Sequence, residues 1–184
     1  LKNMKNLKHK TILKTKKVGH TGTLDPGVEG VLPICIGQAT RIAEYLTDAG
    51  KTYEAVVAIG RTTTTEDAEG ETVEQDTTNK SFTRTQILQA LKTLTGDIQQ
   101  TPPMFSAVKV NGKKLYEYAR AGIEVEVEKR PIEIFEMELL SLHPVRFRVV
   151  CSAGTYVRSL CEDIAEKLNM AGTMSSLVRT KVEN

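Results

Sequence analysis

The sequence predicts an α+β fold with mostly antiparallel strand neighbours, and three observations carry that expectation. Residues 52–59 alternate, with Tyr53, Ala55, Val57 and Ile59 on one face, as a half-buried strand requires. Strand-like runs around 123–127, 132–140 and 145–151 then follow one another with only short connections. Two other segments, 83–96 and 155–168, repeat their apolar residues at helical spacing.

Taken in chain order, residues 1–17 open with helical spacing (Leu1, Met4, Leu7). Gly19, Gly22, Pro26, Gly27 and Gly30 break any regular element after it, so a loop is expected there. Over 39–48, Ile42, Tyr45 and Leu46 share a helical face, with Gly50 a suitable stop just beyond. Residues 61–80 are polar and acidic, with consecutive threonines at 62–65, and read as an exposed loop or irregular hairpin. Thr83 and Gln86 form a capping-box signal ahead of Ile87, Leu88, Leu91 and Leu94, a helix that Gly96 ends. Pro102 and Pro103 force an extended lead into a short strand over 104–110, which Asn111-Gly112 turns before a helical segment at 115–120. In the final helix, Val157, Leu160, Cys161, Ile164 and Leu168 lie on one stripe, the face to be buried.

At 184 residues, 40% hydrophobic and 26% charged, the chain suits one folded domain with a real core. No stretch approaches the about 18 apolar residues of a membrane span, and no apolar segment follows the basic start as a secretory signal requires. Cys35, Cys151 and Cys161 lack the CxxC spacing of a zinc or redox site, so no metal is expected, and reduced cytoplasmic thiols are the simplest account. Charge is lopsided. Residues 1–17 hold seven lysines and no acid, which leaves 18 basic against 23 acidic side chains in the rest. Such an arm can supply the sequence-independent attraction that phosphate backbones reward. Lys109, Lys113, Lys114 and Arg120 form a second basic cluster, which could track phosphates or simply be solvated.

The segment Lys17–Gly27 gathers permissive glycines around one histidine and one aspartate, a composition typical of functional loops. It is not a P-loop, since no Gly-Lys-Ser/Thr follows, and its glycine spacing is wrong for a dinucleotide fingerprint. Alone, Asp25-Pro26 reads as a turn initiator and His20 as an ordinary hydrogen-bonded histidine.

Read whole, GHTGTLDPGVEGVLPICIGQATR (19–41) resembles the signature of the TruB family of tRNA pseudouridine synthases. Further segments agree in order: Lys51-Thr52-Tyr53 opening a strand, Thr65–Gly70, PPMFSAVKVNGKKLYEYARAG, GTYVRSL and SSLVRT. The bacterial tRNA pseudouridine-55 synthases, which modify the T-loop uridine, look closest. The resemblance implies the pseudouridine-synthase fold, with a mixed, mostly antiparallel central sheet flanked by helices. It also implies an isomerase that needs no cofactor. The N1 glycosidic bond of a uridine breaks, the uracil turns, and C5 joins the ribose.

Carried over by motif, Asp25 is the catalytic carboxylate, attacking either ribose or uracil. Arg158 is its matching cation, although by spacing alone it could equally pair with Glu162 one helical turn on. Tyr53 matches the tyrosine expected to stack on the turned-out uracil and assist proton loss at C5. Tyr156 and Leu177 match residues lining the uridine pocket, and His20 matches a histidine near the substrate loop that is not the acid or base. The implied partner is tRNA, through its T-arm stem-loop, whose uridine is cheaper to extrude than one within a duplex. No membrane or obligate protein partner is implied.

Family members usually begin with a Lys-Pro-containing strand and often end in a small PUA-type RNA-binding domain. Neither pattern occurs in 1–184, so the chain is expected to be a fragment holding one catalytic domain. Two rivals share these features: a guide-RNA-dependent synthase of the same superfamily, and a non-catalytic chaperone of tRNA.

Overall fold

The computed structural model describes residues 15–76 and 81–182. The helix expected over 1–17 lies almost wholly outside them. Six strands form the main sheet: β2 (Glu29–Gly30), β4 (Lys51–Ile59), β7 (Gly96–Gln100), β10 (Arg130–Leu142), β11 (Val145–Cys151) and β12 (Gly172–Val182). Their order is β2-β12-β4-β11-β10-β7, antiparallel throughout except for the parallel β2–β12 pair. The expected α+β class with a mixed, mostly antiparallel sheet is what forms.

Two helices, α2 (Arg84–Thr93) and α4 (Val157–Glu166), pack on one face of this sheet and on each other. Both follow from their apolar stripes. The capping box of α2 forms as its sequence implies: Thr83 Oγ1 accepts from the Gln86 N–H and Gln86 Oε1 accepts from the Thr83 N–H. Val157, Leu160, Cys161 and Ile164 of α4 share one buried cluster with Ile87 and Leu91 of α2 and with Ala55, Val57, Ile132, Ile134, Phe147 and Met174 of the sheet. Alternation on β11 sends Val145, Phe147, Val149 and Cys151 into this core. Arg146 and Arg148 face outward, where Arg146 pairs with Glu54, and Arg148 with Glu136 and Glu138.

Several expectations are corrected. The glycine-rich stretch is not all loop, because β1 (Val18–His20) pairs with β3 (Ile34–Ile36) and β2 joins the main sheet. The 39–48 helix is a 3-10 turn at Gly37–Arg41 followed by α1 (Ala43–Thr47), and Ile42 is exposed. The irregular hairpin forms from β5 (Arg61–Thr63) and β6 (Thr72–Gln75). The strand expected over 104–110 contracts to β8 (Lys109–Val110). Asn111 and Gly112, both at positive φ, turn it into β9 (Lys113–Lys114) ahead of α3 (Leu115–Arg120). Residues 123–127 form no strand, since their alternating side chains find no neighbour to pair with and Ile123 is exposed. Strands β7 and β12 were not expected.

Phe147 is the largest fully buried apolar side chain among the described residues, and it belongs to the cluster that both helices share with the sheet. Phe147→Ala is expected to cost about 3–5 kcal/mol, the transfer energy plus the cavity left behind. Thermal unfolding followed by circular dichroism should show the midpoint falling by on the order of ten degrees.

Candidate active site

Asp25 opens a tight turn. Its carbonyl accepts from the Val28 N–H at 3.2 Å, Pro26 occupies the second position, and Gly27 the third at φ +75°, the pattern of a type II turn. The turn initiator expected from Asp-Pro is therefore present, but the carboxylate is directed elsewhere. Arg158 Nε lies 3.1 Å from Asp25 Oδ2, an ion pair in which the arginine side chain is 5% exposed and the aspartate 44%. One carboxylate oxygen is thus held by a buried cation while the side chain stays open to an incoming ligand.

Arg158 stands in the first turn of α4, and its remaining edges are also committed. Nη1 donates to the Thr65 carbonyl at 2.9 Å and Nη2 to the Phe105 carbonyl at 3.0 Å. The helical pairing with Glu162 is not the one its geometry selects. The Thr65 turn is built by Asp67, whose Oδ1 accepts from Thr65 Oγ1 at 2.6 Å and from the Glu69 N–H at 3.0 Å.

Tyr53, on β4, lies in register with Arg179 on β12, and Ala55 with Leu177, so Tyr53 and Leu177 share one face of the sheet. Burial pushes the Tyr53 phenol above its usual value, a bond to the Arg179 guanidinium opposes that, and the Asp25 charge adds a smaller upward push. Leu177 is half-buried. Tyr156 caps the start of α4, where its backbone exchanges two hydrogen bonds with the buried Gln100 amide, at 2.8 and 3.0 Å. His20 ends β1, half-buried and in register with Ile34. Asp25 and Arg158 are therefore paired, Tyr53 lies near enough to feel the Asp25 charge, and Leu177 shares its sheet face. Tyr156 precedes Arg158 at the start of α4, and His20 stands five residues upstream of Asp25 on its own short strand.

Arg179 was not expected from the sequence beyond its place in SSLVRT. It is 1% exposed, and it ties both ends of the loop that carries Asp25: Nε donates to the Val31 carbonyl at 2.7 Å and Nη2 to the Gly22 carbonyl at 3.2 Å. Its own carbonyl accepts from the Val31 N–H at 2.8 Å. Lys51 backs the same loop. Its Nζ donates to the Thr47 and Ala49 carbonyls at 2.9 and 2.7 Å, satisfying the C-terminal end of α1. Burial lowers its pKa, and the Arg179 charge lowers it further.

Two further surface regions differ in charge. The basic cluster is solvated and stacked on tyrosines: Lys114 and Arg120 each lie 5.3 Å from the Tyr116 ring centre, and Lys113 lies 5.9 Å from that of Tyr118. Between α4 and β6, a cleft of about 690 Å³ is lined by Glu74, Asp76, Glu162, Asp163 and Glu166. Burial first, then the Glu66 and Asp163 charges, push Glu162 up from 4.5 to about 8, with Arg158 opposing. Among the described residues no group of His, Cys, Asp and Glu has the geometry of a metal site, and no helix is long and apolar enough to cross a membrane.

A family model described as "TruB family pseudouridylate synthase (N terminal domain)" matches residues 10–157. Proteins named tRNA pseudouridine synthase B from Geobacillus thermodenitrificans (strain NG80-2) and Bacillus anthracis are 56% and 58% identical over 181 residues. Those alignments cover 94% of this chain, and 60% and 59% of the relatives, so the chain spans about three fifths of their length. The fold is similar to that in the "Crystal Structure of a Cbf5-Nop10-Gar1 Complex", with a TM-score of 0.73 and 32% identity, covering 96% of this chain and 44% of that one. It is also similar to a chain in the "Structure of H/ACA RNP bound to a substrate RNA containing 2'-deoxyuridine", with a TM-score of 0.69 and 28% identity, covering 98% and 43%.

Two outcomes are expected from this geometry. A Cβ at Gly30 would lie 2.1 Å from the Arg179 carbonyl oxygen, and Gly30 sits at φ +120°. Gly30→Ala should therefore cost on the order of 1–3 kcal/mol in backbone strain alone. Limited proteolysis should show the 22–31 loop cleaved faster than in the parent. For Glu162, both states hold the proton below pH 4.5. Between there and about pH 8 only the folded state keeps it, so stability falls as pH rises through that window. Glu162→Gln should flatten that slope and raise the thermal midpoint at pH 8 while leaving it unchanged at pH 4.5.

Proposed function

The chain belongs to the TruB family of pseudouridylate synthases, and on that premise we propose that it converts a uridine of tRNA to pseudouridine with Asp25 as the essential carboxylate. The observation that carries this is the Asp25–Arg158 pair: a half-open carboxylate fixed by a buried guanidinium, in the loop that carries the family-like motif. The relatives at 56% and 58% identity are named for tRNA, which favours tRNA over a guide-dependent RNA substrate. The substrate is the T-loop uridine of the T-arm stem-loop, and the enzyme works in the cytoplasm without a membrane or protein partner.

The chemistry asks for a carboxylate beside the nucleoside, and Arg158 holds one oxygen of Asp25 in place while the side chain stays 44% exposed. Attack by Asp25, on ribose or on uracil, accompanies rupture of the N1–C1′ bond. The freed uracil turns and its C5 bonds to C1′, and the bond between the Asp25 oxygen and the carbon it attacked breaks, which returns the free carboxylate. The proton on C5 then leaves, and N1 takes one up. Tyr53 offers a ring for the turned base to stack on and a hydroxyl beside the C5 proton. Leu177 and Tyr156 line the pocket, and His20 fills space near the extruded nucleotide. The exposed lysines at 109 and 113, with Arg120, meet backbone phosphates, which the acidic cleft beside α4 would repel.

An unmodified T-arm hairpin carrying tritium at uridine C5 tests this. The parent chain should release tritium, and Asp25→Asn should lower the rate by at least about a thousandfold, as removal of an essential catalytic group generally does. A variant that releases label at the parent rate removes Asp25 from the chemistry. A parent chain that binds the hairpin without releasing label is a binding protein instead.

A further inference from the structure

Two consecutive residues of one turn bond two consecutive residues of one helix. The Thr65 carbonyl accepts from Arg158 Nη1 at 2.9 Å, and Glu66 Oε2 accepts from Ser159 Oγ at 2.7 Å. Between them lies the Thr65–Glu66 peptide, so the carbonyl that orients Arg158 is set by the backbone of Glu66. That backbone is left-handed, at φ +61°, a conformation that glycine takes freely and a long side chain disfavours.

Residue 66 is fixed from three directions. Its N–H donates to the Thr63 carbonyl at 3.2 Å within the turn, and its carbonyl accepts from the Met174 N–H at 3.1 Å on β12. Only the side chain reaches α4. Backbone preference alone would place glycine here, and the bond to Ser159 is what a glutamate adds. Burial pushes the Glu66 carboxyl up, while the Ser159 hydroxyl and the Arg158 charge favour its ionised form.

A guanidinium is planar and its donors move together. If the Thr65 carbonyl swings away, Nη1 loses its acceptor and the direction of Nε toward Asp25 is held only through the Nη2 bond to the Phe105 carbonyl, about which the plane can tilt. We propose that Glu66, through Ser159, is a positioning residue that keeps Arg158 aimed at Asp25. Its catalytic consequence rests on the function proposed above, while its geometric part can be tested without any turnover.

Three variants of the full chain separate the contributions. Glu66→Gly suits the backbone but removes the carboxylate, Ser159→Ala removes its donor, and Glu66→Gln keeps an acceptor oxygen. The first measurement is solvent exchange of the Arg158 Nε–H by NMR, its resonance identified by its loss in Arg158→Lys. Exchange should accelerate at least about tenfold in Glu66→Gly and Ser159→Ala, and remain near the parent value in Glu66→Gln, with thermal midpoints held within a few degrees. The second is turnover on the T-arm hairpin. In the same two variants kcat should fall about ten- to a hundredfold with KM within about twofold, as small misplacements of catalytic groups produce. Glu66→Gly should add nothing in an Arg158→Lys background.

Unchanged Nε–H exchange in Glu66→Gly overturns the proposal, as does a kcat loss that persists independently in the Arg158→Lys background. Should Glu66→Gly fail to fold, Ser159→Ala alone carries the same comparison. If exchange responds as expected while the parent chain turns nothing over, the positioning role stands and the proposed function falls.

Discussion

One guanidinium joins three segments that are far apart in sequence. Arg158 is 5% exposed, and its three edges meet the Asp25 carboxylate, the Thr65 carbonyl and the Phe105 carbonyl. Removing a charge from water is tolerated only when its donors are satisfied and a countercharge lies close. The glycine-rich loop, the Thr65 turn and the segment after Pro103 must therefore converge on the start of α4. The packing of α4 on the sheet fixes where that point lies.

A second buried arginine solves a different problem. Arg179 meets the carbonyls of Gly22 and Val31, and its charge lies close enough to Tyr53 to favour the ionised phenol. Carbonyl acceptors let a cation act as a clasp, because each replaces part of the lost hydration without adding a full negative charge that would compete for Arg158. The loop bearing Asp25 is thus closed by β12 at its base and aimed by α4 at its tip. Gly30 lets the two backbones approach where a side chain could not fit.

How much of this is legible in the sequence depends on the range of the interaction concerned. The capped helix α2 and strand β11 are legible because cap, stripe and alternation all act within a few residues. Strand β12 is not. Its run GTMSSLVRTKV holds two serines, an arginine and a lysine, and the buried arginine that makes it central is satisfied by carbonyls some 150 residues upstream. The reverse error occurs at 123–127, where alternation is present but no neighbouring strand is, since periodicity describes a face and not a partner. At the site, motif order alone points to Asp25, Arg158, Tyr53, Tyr156 and Leu177. Glu66, Gln100 and Arg179 act through long-range bonds that leave no local pattern, although the φ of Glu66 would have been an unusual demand on any glutamate.

The division of labour along α4 explains why reactivity and stability can coexist in so short a helix. Its apolar stripe, Val157, Leu160, Cys161 and Ile164, anchors it to the sheet without using any charged group. That leaves its first turn free to present Arg158 and Ser159 to the site, and its far edge free to carry Glu162 and Asp163 over the acidic cleft. The proton held by Glu162 weakens the negative field at the turn where Arg158 pairs with Asp25. If it were fully ionised, Glu162 would lie one helical turn from Arg158 as a competing partner. Burial that raises its pKa to about 8 lessens that competition near neutral pH. The same desolvation that costs stability on the acidic side of α4 therefore leaves the buried guanidinium to Asp25, the carboxylate it pairs with at 3.1 Å.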